Sequence, residues 1–230
     1  MEQAHAEYLD TLHGKPLPGT LDMVEVMRLL HERLGVDGIL TNGAGNFSVW
    51  AHRFFPFRRY GSQLAPTSGA MGYGLPAAIA AKLLEPERAV ACMAGDGDFL
   101  MSVQELATAV QHEAPVVVLV VDNGMYGTIR MHQERHYPGR VSGTDLANPD
   151  FAALARSFGC HGERVERTVD AGPALDRALA ADVPAVLHLV VDPEALTPNA
   201  TLSEIREAAL HGPRAGERAG PAAPSVRGGP

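Results

Sequence analysis

Two short segments hold the residues best suited to chemistry. In the first, Gly95, Asp96, Gly97 and Asp98 stand where an apolar run ends and a helix-like pattern begins. Glycines at such a junction let backbone N–H groups approach a diphosphate closely, and the start of a helix adds positive partial charge. Bare aspartates beside phosphate would repel it, so the pattern asks for a divalent cation. Mg2+ takes oxygen ligands, commonly one or two protein oxygens together with phosphates, and Asp96 is the carboxylate offered to it. The second segment, Asp122, Asn123, Gly124, Met125, Tyr126 and Gly127, ends the next apolar run. Asn123 supplies an amide oxygen, and the glycine-bounded turn aims a backbone carbonyl such as that of Met125 at the same ion. The two loops meet if their strands are neighbours in one sheet. A dinucleotide fingerprint is excluded, because Leu100 stands where a third glycine is required.

Placing these loops requires a particular frame. Helical spacing of Met23, Val26, Met27, Leu30 and Leu34 predicts a helix over residues 21–34, with Gly35 as its stop. Short strands are expected at 38–41, 89–94, 116–121 and 185–191, and further helices at 75–84, 102–112, 151–158 and 174–181. The unbroken β-branched run at 116–121 marks a parallel strand covered on both faces. Strands alternating with helices predict an α/β fold, a doubly wound parallel sheet with helices on both faces, which binds ligands at the carboxyl ends of its strands. Residues 1–20 read as a lead-in punctuated by Gly14, Pro16, Pro18 and Gly19. The binding domain is expected over 21–205, and 206–230 as a disordered tail rich in Gly, Pro, Ala and Arg.

Composition narrows the partners. The 230 residues are 46% apolar, enough for one large core, and carry a net charge of -8. That balance argues against nucleic acid and against an anionic membrane surface. Cys92 and Cys160 are distant and form no metal-binding pair, the N-terminus has no apolar signal segment, and no stretch is long enough to span a membrane. A cytoplasmic protein with a small-molecule ligand is expected.

Gly95, Asp96 and Gly97 followed by a helix, a strand and Asn123 resemble the thiamine diphosphate-binding motif. Glu105 to Ala109, with Pro115 and Val116, is similar to the acetolactate synthase and benzoylformate decarboxylase group. The resemblance covers about residues 21–202. It implies that Asp96, Asn123 and the Met125 carbonyl bind Mg2+, and that Gly95, Gly97, Asp98, Gly124 and Tyr126 lie along the diphosphate. Residues 66–76 are similar to the segment over the aminopyrimidine ring, where the Gly69 carbonyl would meet the amino group. Met71 would be the apolar wedge that bends the cofactor and makes its activating proton transfer intramolecular. Gly45, Asn46 and Phe47 fall where acetolactate synthases carry Gly-Gln-His, so Asn46 keeps a polar contact and Phe47 does not. Asp122 replaces the first member of the usual Asn-Asn pair, and His132 stands where the acceptor-selecting Trp is placed.

By this resemblance the chain is the diphosphate domain of a 2-oxo acid decarboxylase or carboligase, with thiamine diphosphate and Mg2+ as cofactors. It would need a pyrimidine-binding domain or subunit that donates a glutamate, no segment having room for that domain, so the expected working form is an oligomer that is inactive without it. A non-catalytic relic or binding module is the alternative. Three smaller features stay open: His132 and His136 as zinc ligands or as part of a solvated loop; Arg130, Arg135, Tyr137 and Arg140 as a carboxylate site; and Trp50, Phe54, Phe55 and Phe57 as core, subunit contact or a substrate box.

Overall fold

The computed structural model of the chain describes residues 2–211. Its first half forms α1 (Glu2–Thr11), α2 (Met23–Leu34), β1 (Ile39–Asn42), α3 (Ser48–Phe54), β2 (Gln63–Leu64), α4 (Gly74–Leu84), β3 (Val90–Gly95) and α5 (Asp96–Phe99). The second half adds α6 (Glu105–Gln111), β4 (Val117–Asp122), α7 (Gly127–His136), α8 (Phe151–Ser157), β5 (His161–Val165), α9 (Thr168–Leu179), β6 (Ala185–Val190) and α10 (Leu202–His211).

All six strands are parallel, in the order β2-β1-β3-β4-β6-β5. Side chains alternate between the two faces, as the pleat requires. Ala91, Met93, Val117, Leu119, Val121, Leu187 and Leu189 pack with α2, α3 and α9. Val90, Cys92, Ala94, Val118, Val120 and Val186 pack with α4, α6 and α8. This is the expected doubly wound sheet. Each face is covered by a helical layer, which is why its central strands are apolar throughout.

The chain leaves β1 toward β2 on one side and leaves β3 toward β4 on the other. Their carboxyl ends therefore diverge, opening the crevice that such sheets use for ligands. Gly95 pairs with Val121, which sets the loop after β3 beside the loop after β4. Phe99 anchors the first of these loops. Its ring is buried and meets Phe151 of α8 edge-on at 5.7 Å, a contact worth about 1 kcal/mol beyond its area.

Several expectations change. The lead-in contains α1, although its punctuation residues do form the connection that follows. Helix α9 begins at Thr168 and takes Pro173 into its interior. Helix α7 and strand β5 lack a periodic apolar signal and owe their conformation to tertiary contacts, while helix α10 carries Leu202, Ile205 and Ala209 at helical spacing. For α10 this corrects the boundary at 205: Leu202 and Ile205 are buried with Met125, Met131 and Leu196, and Arg206 is bound to Glu134. The rest of the expected disordered tail, 212–230, lies outside the described residues. Trp50, Phe54 and Phe55 are core residues, with Phe57 packed against them.

Candidate functional site

An open cleft of about 600 Å3 lies over the carboxyl ends of β1, β3 and β4. Its walls include Asn46, Met71, Gly95, Asp96, Gly97, Asp98, Asn123, Met125 and Tyr126. Nine of the eleven positions expected at the site are thus brought together from segments up to 80 residues apart. Gly69 and Gly124 do not line it. Both have positive φ, 67° and 68°, and shape the turns that present Met71 and Met125. The Gly124 carbonyl accepts from Leu146 N–H at 2.8 Å, and its N–H donates to Asp122. Phe47 and Trp50 also line the cleft, as do Thr128, Val191 and Leu196, which were not expected there.

Asp96 is the first residue past β3 and is buried. One carboxylate oxygen accepts from Gly97 N–H at 2.8 Å and the other from Asn148 Nδ2 at 2.8 Å. Each oxygen keeps free lone-pair capacity. Burial pushes this carboxyl up to about 6 against those two hydrogen bonds, and the nearby charge of Asp122 pushes the same way. A group that is costly to ionise alone is suited to a cation, which restores the lost solvation. Asn123 Oδ1 has only a 3.3 Å contact from Met125 N–H. Asp96, Asn123 and Met125 thus line one cleft beside glycine-rich backbone, and the oxygens these residues carry are of the kind that fits a hard divalent ion and a diphosphate. Gly97 is required for close approach, because a Cβ there would stand 2.5 Å from the Tyr126 ring.

Asp98 lines the cleft and is also bonded to neighbouring loops. Its Oδ1 accepts from Gly72 N–H at 2.8 Å and Ala44 N–H at 3.3 Å. It ties three loops of the cleft together, and a bound phosphate would find it occupied. Burial raises it to about 6 despite these bonds. Asn46 is likewise engaged. Its Oδ1 accepts from Thr128 Oγ1 at 3.0 Å, while its N–H donates back to the same hydroxyl at 3.0 Å. Only Asn46 Nδ2, 3.5 Å from Met131 sulfur, has donor capacity to spare. Phe47 lies against Gly45 and Gly95 and supplies an apolar floor.

The charge added by Asp122 is compensated. His188 Nε2 lies 2.7 Å from its Oδ2, and its Oδ1 accepts from Asn148 Nδ2 at 2.8 Å and Gly124 N–H at 3.0 Å. Burial opposes ionisation here too, yet the His188, Asn148 and Gly124 bonds outweigh it and hold the Asp122 carboxyl below its ordinary value. Asn148 and His188 lie 26 and 66 residues beyond Asp122 in sequence, so no local pattern pointed to them.

The basic segment is helical, as α7. His132 and His136 stack at 6.1 Å, both exposed, and no group of three or more His, Cys, Asp or Glu side chains that could hold a metal ion is found among the described residues. Arg130 is committed to buried Glu134 and to Asp145, and Arg140 lies over the Tyr137 ring; among the described residues neither Arg135 nor Arg140 has an ion pair. No described helix is long and apolar enough to cross a membrane.

Comparison with known proteins agrees with this geometry. The family described as thiamine pyrophosphate enzyme, C-terminal TPP binding domain, matches residues 43–189. Acetolactate synthase isozyme 2 large subunit of Escherichia coli is 36% identical over 169 residues, covering 73% of the chain and 31% of that protein. An acetolactate synthase of Mycobacterium bovis is 36% identical over 190 residues, and a probable acetolactate synthase large subunit of Methanocaldococcus jannaschii 35% over 186. Each of these matches covers 80% of the chain and 31% of the relative. The chain thus spans about a third of the length of these relatives.

Proposed function

The chain belongs to the family of thiamine pyrophosphate enzyme C-terminal binding domains, and from that premise we propose that it holds Mg–thiamine diphosphate for the decarboxylation or joining of 2-oxo acids. A pyrimidine-binding domain or subunit completes the site, so the working form is an oligomer. One observation carries this proposal: Asp96, Asn123 and Met125, from neighbouring strand ends, face one cleft with oxygen donors and glycine backbone.

Each residue then has a defined task. Asp96 and Asn123 side-chain oxygens, with the Met125 carbonyl, hold the cation. Backbone N–H groups around Gly97 face the diphosphate, with Asn46 Nδ2 as an added donor. Met71 packs beneath the reacting end of the cofactor, and Phe47, Trp50, Val121 and Leu196 keep water from the apolar wall. When bound, the cofactor supplies the electron sink for the pair released as carbon dioxide leaves a 2-oxo acid. The proton transfer that prepares it needs a carboxyl group against the pyrimidine ring, and the partner supplies that group. The longer relatives, 31% of whose length is matched, are named acetolactate synthases, which favours a 2-oxo acid as donor.

The test is reconstitution. The chain is mixed with a candidate pyrimidine-binding partner, thiamine diphosphate and Mg2+, and pyruvate consumption is followed. Turnover that requires both proteins and is lost with Asp96→Ala is expected. Turnover by the chain alone would contradict the division of labour. Tight cofactor binding with no turnover beside a competent partner would favour a non-catalytic binding module.

A further inference from the structure

Asp96 and Asp122 share a hydrogen-bond donor, Asp96 buried and Asp122 half-buried. Only Asp96 lines the cleft. Their hydrogen bonds explain the difference. The Asn148 side chain donates to both, at 2.8 Å to Asp96 Oδ2 and 2.8 Å to Asp122 Oδ1. The amide orientation is fixed by chemistry, since a flipped amide would set an oxygen against two carboxylates. His188, 1% exposed on β6, takes the remaining Asp122 oxygen at 2.7 Å, and Gly124 N–H adds a third donor. Asp122 thus takes three donors, two of them on Oδ1, whereas Asp96 has one donor per oxygen. The supporting residues are themselves held. Asp150 caps α8 through Ala152 and Ala153 N–H, Asn148 is two residues before it, and Phe151 meets the His188 ring edge-on at 5.1 Å.

Resting on the cofactor site proposed above, we infer that Asn148 and His188 are positioning residues that turn Asp122 away from the cation and leave Asp96 as the single carboxylate offered to it. Neither touches the ion. Outer partners of this kind typically change metal affinity by roughly 10- to 100-fold when removed. Asn148 orients both carboxylates, while His188 acts through Asp122 alone, so the two make different predictions. Loss of Asn148 weakens the site whatever occupies position 122. Loss of His188 matters only while position 122 is an aspartate.

The experiment is a cycle on His188 and Asp122. Mg2+ is titrated into the full chain saturated with thiamine diphosphate, and the melting temperature is recorded without ligands. His188→Leu is expected to weaken Mg2+ binding about tenfold, and His188→Gln, which restores a donor, to return it to within about threefold of wild type. In an Asp122→Asn background, His188→Leu should add no further loss of affinity and lower the melting temperature less than it does beside Asp122. Equal losses in both backgrounds, no loss beside Asp122, or a Gln variant as impaired as Leu would each overturn the inference. A wild-type chain that takes up no Mg–thiamine diphosphate would instead contradict the cofactor reading. The positioning claim is then decided by melting alone, and an equal decrease in both backgrounds overturns it.

Discussion

Glu134 and Asp96 are both carboxylates withdrawn from water, and their surroundings treat them in opposite ways. Glu134, on α7, has no exposed surface. Its oxygens receive Arg206 through two nitrogens, Arg130 Nε at 3.1 Å and Gly139 N–H at 2.8 Å. Arg206 does most to depress its carboxyl to about 2, against the opposing effect of burial. Asp96 has two donors and a neighbouring carboxylate, and burial raises it to about 6. The first site is complete as it stands. The second would be completed by the cation of the proposed function, and its incompleteness makes it the binding-site candidate of the two, the fully paired charge being scaffold.

The regions are nevertheless coupled. Glu134 joins α7 to α10, and α7 begins with Gly127, Thr128 and Ile129 on the cleft wall. Met131 of α7 and Leu202 and Ile205 of α10 pack on Met125, whose carbonyl is assigned to the cation. The loop at 144–146 is stitched to the same place by Tyr126 N–H to Thr144 and Leu146 N–H to Gly124. The ion cluster therefore fixes the angle from which the second metal loop approaches.

The largest expected effect breaks the scaffold side. Glu134→Ala leaves two arginines without their shared partner and should cost about 3 kcal/mol in denaturant unfolding, a value reduced from the upper range by the partial exposure of Arg206. A loss below about 0.5 kcal/mol would show that the cluster is not scaffold. Acid sensitivity follows from the same shift. Because the folded-state value lies below the ordinary 4.5, the stabilisation is present above pH 4.5 and is lost as pH falls toward 2.

At the cleft the sign reverses. The folded-state value of Asp96 lies above its ordinary 3.8, so its contribution is fully present below pH 3.8 and is lost as pH rises through about 6. Asp96→Asn removes that loss. The ligand-free variant should be more stable than wild type by on the order of 1–2 kcal/mol at pH 8. The gain should vanish near pH 4 in the same melting series, and Mg2+ should no longer affect cofactor binding. A variant less stable than wild type at pH 8 would end the comparison.

The smallest effect serves as a control. Glu113 ends α6 in the left-handed region, φ 51°, where its backbone N–H reaches Val110 and Ala114 N–H reaches Ala109, the arrangement that glycine favours after a helix. Glu113→Gly should stabilise by about 0.5–1 kcal/mol at every pH and leave Mg2+ binding unchanged. A gain in stability at this remote turn carries no functional loss, which separates it from the gain at Asp96.

The contrast also shows what the sequence could reveal. The loops at Asp96 and Asn123 were legible because they end apolar runs, and β4 and β6 announce themselves as continuous β-branched and apolar segments. The bonds of Asp98 were not legible, because a short acidic loop does not show which way its carboxylates point. Its partners, Gly72 and Ala44, come from two other loops. Helix α7 was read as a loop because Met131 and Glu134 alone are buried among its ten residues, and its conformation is fixed by Arg206 far along the chain. Asn148 and His188 were invisible for the same reason: nothing local distinguishes an asparagine near a helix cap, or a histidine in a strand, from ordinary structural residues. Short-range pattern picked out the loops of the proposed ligands, while the groups that would orient them depend on packing.

The most direct measurement is calorimetric titration of thiamine diphosphate into the full chain, with and without Mg2+, for wild type and Asp96→Ala. Binding that depends on Mg2+ in wild type and loses that dependence in the variant is the predicted result. Metal-dependent binding unchanged by Asp96→Ala would contradict the assignment of the site.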